Sequence, residues 1–203
     1  MKKIMFNDRY GLTAAVLQGR KTMTRRIVPT QYVPMIEDGL QGAALIEAQR
    51  HGDAYRENEI VAVAQCYETL ANSGYLDKMV VPANNPVKCE FKKEYCNPGW
   101  LNKMFVRADL MPHQIQITDI NIVRLQDISE EDCLKEGIKK KQNWHHRKPT
   151  NPFFFGTPKH SWENSFPTAK KAFATLINRP GVGRKGLWEE NPFVFAYSFK
   201  LIK

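Results

Sequence analysis

A cluster of cations and hydroxyls lies near the amino terminus, in the segment GRKTMTRR at residues 19–26. Four of its side chains are basic and two are threonines, and no acidic residue stands among them. Arginine forks bind phosphate and carboxylate oxygens in a bidentate manner, and threonine adds a hydroxyl. This composition favours an anion or nucleotide site. A helix cap followed by a charged edge strand is the alternative interpretation.

The residues before this cluster predict a short helix of about ten residues from Asp8 onward. Asp8 is a suitable N-cap, and Gly19 is a suitable residue for the position just after the helix. The apolar stripe that predicts the buried face consists of Leu12, Ala15 and Val16.

The second half of the cluster predicts a strand that stops at Pro29. In a continuous strand, Lys21 and Thr24 would point to opposite faces. Both reach one cleft only if the chain turns between them, which the preceding glycine allows.

The pattern G-x-K-x-x-T-x-R, formed by Gly19, Lys21, Thr24 and Arg26, resembles the signature of the ASCH superfamily. The acidic stretch at 128–137 is similar to that family's second helix, and Asn191-Pro192 with the aromatic strand up to Phe199 is similar to its closing strand. With Trp188 before Asn191 and its long insertions, the chain resembles the larger ASCH proteins of bacterial and phage genomes.

Small bacterial ASCH proteins are amidohydrolases that remove the acyl group from N4-acetylcytidine with a lysine, a threonine and a glutamate. The resemblance assigns these roles to Lys21 as base, Thr24 as nucleophile or water activator, and Glu136 as acid, with Glu130 and Glu131 as neighbouring candidates for the acid. A lysine base that works near neutral pH needs a pKa about 3 units below ~10.4, roughly 4 kcal/mol. Burial and the charge of Arg25 or Arg26 could lower it, and Arg26 with backbone amides could hold the oxyanion.

The resemblance also implies the fold, an α+β, PUA-like, mostly antiparallel β-barrel with flanking helices. One domain spans residues 1–203, with insertions at about 30–58, 68–102 and 139–166, where the sequence lacks clear periodicity. Hydropathy patterns predict strands at 3–6, 59–67, 104–110, 114–125 and 192–202. Cap residues and apolar faces predict helices from Ser129 to Gly137 and over 168–178.

Positive charge is concentrated in the last third of the chain. Residues 1–138 hold 17 Lys and Arg against 18 Asp and Glu, whereas residues 139–203 hold 13 against 3. Basic residues interleaved with aromatics suit a nucleic-acid strand, while a solvated basic face and a phenylalanine flap packed on the core are the alternatives. The predicted nucleic-acid or nucleotide contacts are Arg20, Arg25, Arg26, Lys139, Lys140, Lys141, Trp144, Arg147 and Lys148.

Other functional classes find little support in the sequence. No apolar run reaches the ~18 residues that a membrane span needs, and the four cysteines form no C-x-x-C pair. We therefore expect a cytoplasmic protein without a metal site or organic cofactor. Residues 181–186 match G-x-G-x-x-G, but they follow a helix rather than a strand, which argues against a dinucleotide site.

The sequence therefore predicts an ASCH-type domain that binds RNA or a modified nucleoside or nucleotide in a cleft lined by Lys21, Thr24, Arg26 and Glu136. Deacylation of N4-acetylcytidine-like nucleosides is the alternative, and a ribonuclease is a weaker one because the motif positions no histidine. The sequence leaves the oligomeric state and the protein partners open.

Overall fold

Helices and strands both occur throughout the described parts of the chain, which gives a mixed α+β fold. The computed structural model describes residues 1–75, 98–141, 151–156 and 165–202. The described strands are β1 Lys3–Ile4, β2 Met23–Ile27, β3 Ile60–Val63, β4 Gln114–Arg124, β5 Lys139–Lys140, β6 Phe153–Phe154, β7 Ser165–Phe166 and β8 Phe193–Leu201. The described α-helices are α1 Leu12–Leu17, α2 Val33–Glu37, α3 Gln41–His51, α4 Tyr67–Asn72, α5 Glu130–Lys135, α6 Ala169–Ile177 and α7 Leu187–Glu190. Short 3-10 helices span Thr30–Tyr32, Lys103–Phe105, Ala108–Leu110 and Leu125–Asp127.

Five strands form a mixed sheet in the order β1-β3-β4-β8-β2. Strand β1 pairs with β3 in parallel, and β2 pairs with β8 in the antiparallel direction, with Thr24 opposite Tyr197 and Arg25 opposite Ala196. A separate antiparallel sheet has the order β5-β6-β7. Among the strands that the structure describes, the sheets are open and no closed barrel is formed.

The chain divides into two units, and the first comprises residues 1–6 with 60–115. Its described core is a cluster of buried residues from β3, α4 and the 3-10 segments: Ala62, Ala64, Tyr67, Leu70, Val106, Leu110 and Met111. The Lys3 ammonium donates to the carbonyl oxygens of Met104 and Val106, at 2.5 and 2.6 Å.

The second unit comprises residues 7–59 and 116–202. In it, α5 packs against α6 and against β2, and α6 also packs on the small sheet. The apolar face of α6 is buried as its 3.6-residue period predicts, with Ala172, Phe173, Leu176 and Ile177 inside. Residues 194–197 of β8 are buried on both faces, so this strand lies in the core of the unit.

The structure corrects three details of the sequence interpretation. Gly11 rather than Asp8 occupies the N-cap of α1. The strand predicted at 104–110 is wrong, because two 3-10 helices, Lys103–Phe105 and Ala108–Leu110, occupy it. The segment 30–58, which lacks clear periodicity, contains α2 and α3.

Candidate functional site

Lys21 is positioned by the tight ending of α1. Gly19 has a φ of 70°, a left-handed conformation that glycine adopts without strain. This turn lets the main-chain N–H groups of Arg20 and Lys21 both donate to the carbonyl oxygen of Ala15, at 2.9 and 3.0 Å. Lys21 therefore stands at a fixed point just before β2.

Glu136 is positioned by α5. The Ser129 hydroxyl caps this helix by accepting the N–H of Asp132 at 3.0 Å, as the sequence predicts. Glu136 is the C-cap residue, and the chain then turns at Gly137, whose φ is 106°. The Thr22 N–H donates to the Lys135 carbonyl oxygen at 2.9 Å, which ties the end of α5 to the start of β2.

The side chains of Lys21 and Glu136 meet in a buried ion pair. Lys21 Nζ donates to Glu136 Oε2 at 2.5 Å, and to the carbonyl oxygens of Glu136 and Met23, each at 2.8 Å. Only 2% of the Lys21 side chain and 6% of the Glu136 side chain are exposed. Three acceptors match the three N–H groups of an ammonium, so the geometry fits the charged pair.

Arg25 completes the cluster from β2. Its Nη1 donates to Glu136 Oε1 at 3.1 Å, so both oxygens of that carboxylate are engaged. Its Nη2 contacts Asp132 Oδ2 at 3.3 Å. Asp132 and Glu136 are four residues apart on α5 and therefore share one helix face. The result is two cations facing two carboxylates, with Arg25 also buried.

Burial dominates the electrostatics of Lys21. Loss of hydration disfavours the charged form and lowers the pKa of Lys21 below its ordinary value, although the Glu136 carboxylate opposes this effect. The positive charges of Arg26 and Arg25 add to the lowering of the Lys21 pKa. The lysine base that the family resemblance implies would need a lowering in this direction.

Thr24 and Arg26 lie on the other face of β2 from Arg25, because side chains alternate along a strand. Thr24 is buried and lies opposite Tyr197 in the register, and Arg26 lies opposite Phe195. The structure thus brings Lys21, Glu136 and Arg25 together. The Thr24 hydroxyl has no hydrogen-bond contact to this cluster within the described part of the chain.

The three candidate glutamates have different partners in the structure. Glu130 accepts the N–H groups of Ala169 and Lys170 at the start of α6, at 2.8 and 3.3 Å. Glu131 is largely exposed and pairs with Lys135 at 2.9 Å. Glu136 is the one that binds Lys21.

Asp132 is the member of the cluster that the sequence analysis does not name as a candidate site residue. Its signal was available, because a carboxylate four residues before Glu136 on the same helix must face the same way.

The predicted nucleic-acid contacts are only partly described. Lys139, Lys140 and Lys141 lie on or beside β5, each with its Nζ 5.6 to 5.7 Å from the centre of a phenyl ring of β6. Lys139 also donates to the Gly156 carbonyl oxygen, and Lys141 donates to Ser165 Oγ. A nucleic-acid base that stacked on Phe153 or Phe154 would need an open ring face. These lysines lie over those rings. Trp144, Arg147 and Lys148 lie outside the described residues.

Arg20 belongs to the same charged region as β5. Its side chain is exposed, and its charge contributes, after burial, to lowering the pKa of Lys139. Arg20 Nη2 donates to Gln18 Oε1 at 2.9 Å.

The described residues form neither a metal-binding cluster nor a membrane-spanning helix. Across the ranges that the structure describes, no group of three or more His, Cys, Asp or Glu side chains could hold a metal ion. No helix within those ranges is both long and apolar enough to cross a bilayer. An open groove of about 330 Å³ is lined by Ala174, Thr175, Asn178, Arg179 and Glu189, and no predicted site residue is among them.

Among the described residues, Lys21 and Glu136 combine burial with a direct hydrogen bond between a base and an acid, which makes their cluster the candidate active site. No family model, curated protein or solved structure matches this chain.

Proposed function

We propose that the chain is an ASCH-type protein with a PUA-like fold that hydrolyses the exocyclic amide of an N-acylated nucleoside such as N4-acetylcytidine. One observation carries the proposal. The lysine and the glutamate to which the sequence resemblance gives the roles of base and acid are joined at 2.5 Å across 115 residues of sequence.

The pair can exchange one proton without losing a hydrogen bond. If Lys21 Nζ passes a proton to Glu136 Oε2, the resulting amine keeps two N–H groups for the carbonyl oxygens of Met23 and Glu136. The new carboxylic acid donates back to the amine. Since burial lowers the pKa of Lys21, the neutral form becomes more accessible than in water.

The uncharged pair is the form that amide hydrolysis needs. A water molecule attacks the acyl carbon, its proton goes to the amine of Lys21, and the carbonyl electrons move to oxygen. When the C–N bond breaks, the leaving nitrogen takes the proton of the Glu136 carboxylic acid. The products are the free acid and the amine, and the enzyme is left as ammonium and carboxylate, which one proton transfer resets.

Water serves as the nucleophile in this scheme because Thr24 lies on the opposite face of β2 from Arg25. Substrate must also reach a pair that is almost fully buried. The mechanism therefore requires the cover over Lys21 to open. Gly137 lies beside the Lys21 stem, since a Cβ added there would be 3.7 Å from Lys21 Cδ.

The decisive experiment is turnover of N4-acetylcytidine, followed by the absorbance change on deacylation. We expect Lys21→Met and Glu136→Gln to lose at least about 10²-fold in kcat, the usual contribution of acid–base catalysis. Lys135→Met and Glu131→Gln are the matched controls, because they change the same residue types at an exposed ion pair. Their kcat should stay within about twofold of the wild-type value.

The proposal is wrong if the wild type turns over none of a series of N-acylated cytidines, or if Lys21→Met remains fully active. Circular dichroism of each variant separates loss of catalysis from loss of folding.

A second candidate function is RNA binding, the prediction that the basic last third of the chain favours. The specific observation is a charged region formed by Arg20, Lys139, Lys140 and Lys141. After burial, the positive charge of Arg20 contributes to the lowered pKa of Lys139. Phosphate contacts, not base stacking, would carry the affinity, since the lysines cover the Phe153 and Phe154 rings.

Salt dependence tests this second candidate. Binding of a single-stranded RNA through several phosphates should weaken with a log–log slope of about −0.7 for each contact. Lys140→Ala should reduce the slope, whereas Lys200→Ala, an exposed lysine of β8, should not. An affinity that stays flat between low and moderate salt would exclude RNA binding by this region.

A further inference from the structure

Arg25 carries a buried hydrogen-bond donor without an acceptor. Only 7% of Arg25 is exposed. Its Nε atom is inaccessible to solvent and has no hydrogen-bond partner in the described structure. An unsatisfied buried donor is costly, and most such groups in folded proteins are paired. Among the described residues, Arg25 Nε and Trp100 Nε1 are buried without a partner, and Arg25 Nε is the one that belongs to the Lys21–Glu136 cluster.

The remaining contacts hold the guanidinium in a fixed orientation. Nη1 is engaged by Glu136 Oε1 at 3.1 Å and by the sulfur of Met23 at 3.2 Å. Nη2 contacts Asp132 Oδ2 at 3.3 Å, a long distance for a charged hydrogen bond. In a planar guanidinium, the Nε–H and one N–H of Nη2 point the same way and form a two-pronged donor. The Nε–H has no acceptor, and the contact recorded for Nη2 is the long one to Asp132.

We propose that the Nε–H of Arg25 donates to the carbonyl oxygen of the acyl group and stabilises the oxyanion that forms when water attacks. This inference rests on the proposed amide hydrolysis, and it assigns to Arg25 the role that the sequence interpretation gave to Arg26. Side chains alternate along β2, so Arg26 lies on the other face of this strand from Arg25, which contacts Glu136.

The charges of the cluster support this role. At rest, the Arg25 guanidinium is balanced by the Glu136 carboxylate. Once Glu136 has taken the proton of Lys21, it is a neutral carboxylic acid. Of the two acidic side chains that contact Arg25, only Asp132 then remains negatively charged. The oxyanion appears in this state of the site and restores the balance. A preorganised donor that faces charge developing in the transition state is the arrangement that accelerates acyl transfer.

Arg25→Lys is the test variant, since it keeps the positive charge near Glu136 but has no Nε–H. We expect its kcat on N4-acetylcytidine to fall about 10²- to 10³-fold, as for loss of one oxyanion donor, with little change in KM. Arg50→Lys, at an exposed position on α3, is the matched control and should leave kcat unchanged.

Sulfur substitution distinguishes a donor to the substrate oxygen from a residue that only positions Glu136. N4-thioacetylcytidine presents sulfur, a weak acceptor, where the acetyl compound presents oxygen. For the wild type, kcat for the acetyl compound divided by kcat for the thioacetyl compound should exceed the same rate ratio for uncatalysed hydrolysis. For Arg25→Lys, this kcat ratio should fall to the uncatalysed value. A wild-type ratio equal to the uncatalysed one, or a ratio that Arg25→Lys leaves unchanged, overturns the inference while leaving the hydrolase intact.

A failure of the hydrolase itself gives a different result. If the wild type turns over neither compound, the proposed function is wrong and Arg25 is judged by binding alone, measured by calorimetry with the two nucleosides. Tighter binding of the oxygen compound in the wild type, lost in Arg25→Lys, would retain Arg25 as a carbonyl donor. Equal binding of both compounds, or no binding, would remove it.

Discussion

Lys21 Nζ and Glu136 Oε2 share a 2.5 Å hydrogen bond that either residue can donate. With the proton on Lys21, the ammonium serves three acceptors, and with the proton on Glu136, the amine still serves two carbonyl oxygens. Neither arrangement leaves a buried polar group of the pair without a partner. The proton can therefore move inside the protein without exchange with solvent, and the pair keeps the same total charge.

The first prediction concerns stability against pH. The pKa of Lys21 is lower in the folded state than its ordinary value of 10.5. At pH values between the two, Lys21 is protonated in the unfolded chain and deprotonated in the folded chain. Stability rises with pH wherever the unfolded state binds more protons. The free energy of unfolding of the wild type should therefore rise, relative to that of Lys21→Met, as the pH increases through this window.

Urea unfolding of both proteins from pH 7 upward measures this difference. The raised pKa values of Cys133, Tyr32 and Tyr55 change stability at alkaline pH in both proteins and cancel in the difference. If the Glu136 carboxylate outweighed burial and raised the Lys21 pKa, the difference would stay flat up to 10.5 and then fall. That result would contradict the prediction.

The second prediction concerns the cost of removing the Glu136 charge. In Glu136→Gln, the cations of Lys21 and Arg25 stay buried without their shared carboxylate. Breaking a buried ion pair by removing one partner costs about 3 to 5 kcal/mol. Glu131→Gln breaks an exposed pair with Lys135 and should cost less than about 1 kcal/mol. Equal denaturant midpoints for the two variants would show that Glu136 is not a buried ion-pair partner.

The sequence predicts the ends of several elements because local chemistry determines them. Ser129 caps α5 and Thr168 caps α6 by accepting an N–H three residues on, at 3.0 and 3.1 Å. Gly19 ends α1 in a left-handed turn. These signals need no knowledge of the rest of the fold, so a pattern of a few residues is sufficient.

The segment 104–110 shows where local patterns fail. Its apolar alternation suggests a strand, but side chains from distant residues satisfy its backbone. Lys3 binds the carbonyl oxygens of Met104 and Val106, and the Tyr67 hydroxyl accepts the N–H of Arg107. Because these side chains pair with its backbone groups, the segment does not require a neighbouring strand. The partners are distant in the sequence, so no short motif predicts them.

The candidate site was predictable in its residues more than in its geometry. The family resemblance points to Lys21, Thr24 and Glu136. The structure joins Lys21 and Glu136, whereas Thr24 lies on the other face of β2 from Arg25. Alternation along β2 separates Arg25 from Arg26, but the sequence does not say which strand face α5 covers. Arg25 joins the cluster because α5 packs on its side of the strand.

The third prediction concerns Gly137, which follows Glu136. A Cβ at this position would lie 3.2 Å from Leu12 Cδ2 and 3.7 Å from Lys21 Cδ, and the φ of 106° disfavours any other residue. Gly137→Ala should therefore destabilise the fold by about 1 to 3 kcal/mol. The same change should shift the Lys21 stem and, under the proposed function, reduce turnover of N4-acetylcytidine beyond the loss of folded protein.

Gly42→Ala is the matched control for this substitution. Gly42 lies in α3, and a Cβ there would meet no atom within 4 Å. Alanine is about 1 kcal/mol better than glycine inside a helix, so this variant should raise the melting temperature. A Gly137→Ala protein as stable and active as Gly42→Ala would show that the Gly137 turn does not hold Lys21 in place.

The fourth prediction concerns the carboxylate that links α5 to α6. Glu130 accepts the first two N–H groups of α6, and the Thr168 hydroxyl accepts the third, that of Lys171. A carboxylate at this helix end satisfies free N–H groups and interacts favourably with the helix dipole. Glu130→Ala should lower the free energy of unfolding by about 1 to 2 kcal/mol, in the range of a lost N-cap.

Glu131→Ala is the comparison for Glu130→Ala, because Glu131 is adjacent and its partner is the exposed Lys135. It should change the free energy of unfolding by less than about 0.5 kcal/mol. Hydrogen exchange localises the effect: the amides of 169–171 should lose protection in Glu130→Ala and keep it in Glu131→Ala. Unchanged protection of these amides in Glu130→Ala would mean that Thr168 alone caps α6 and that Glu130 does not join the two helices.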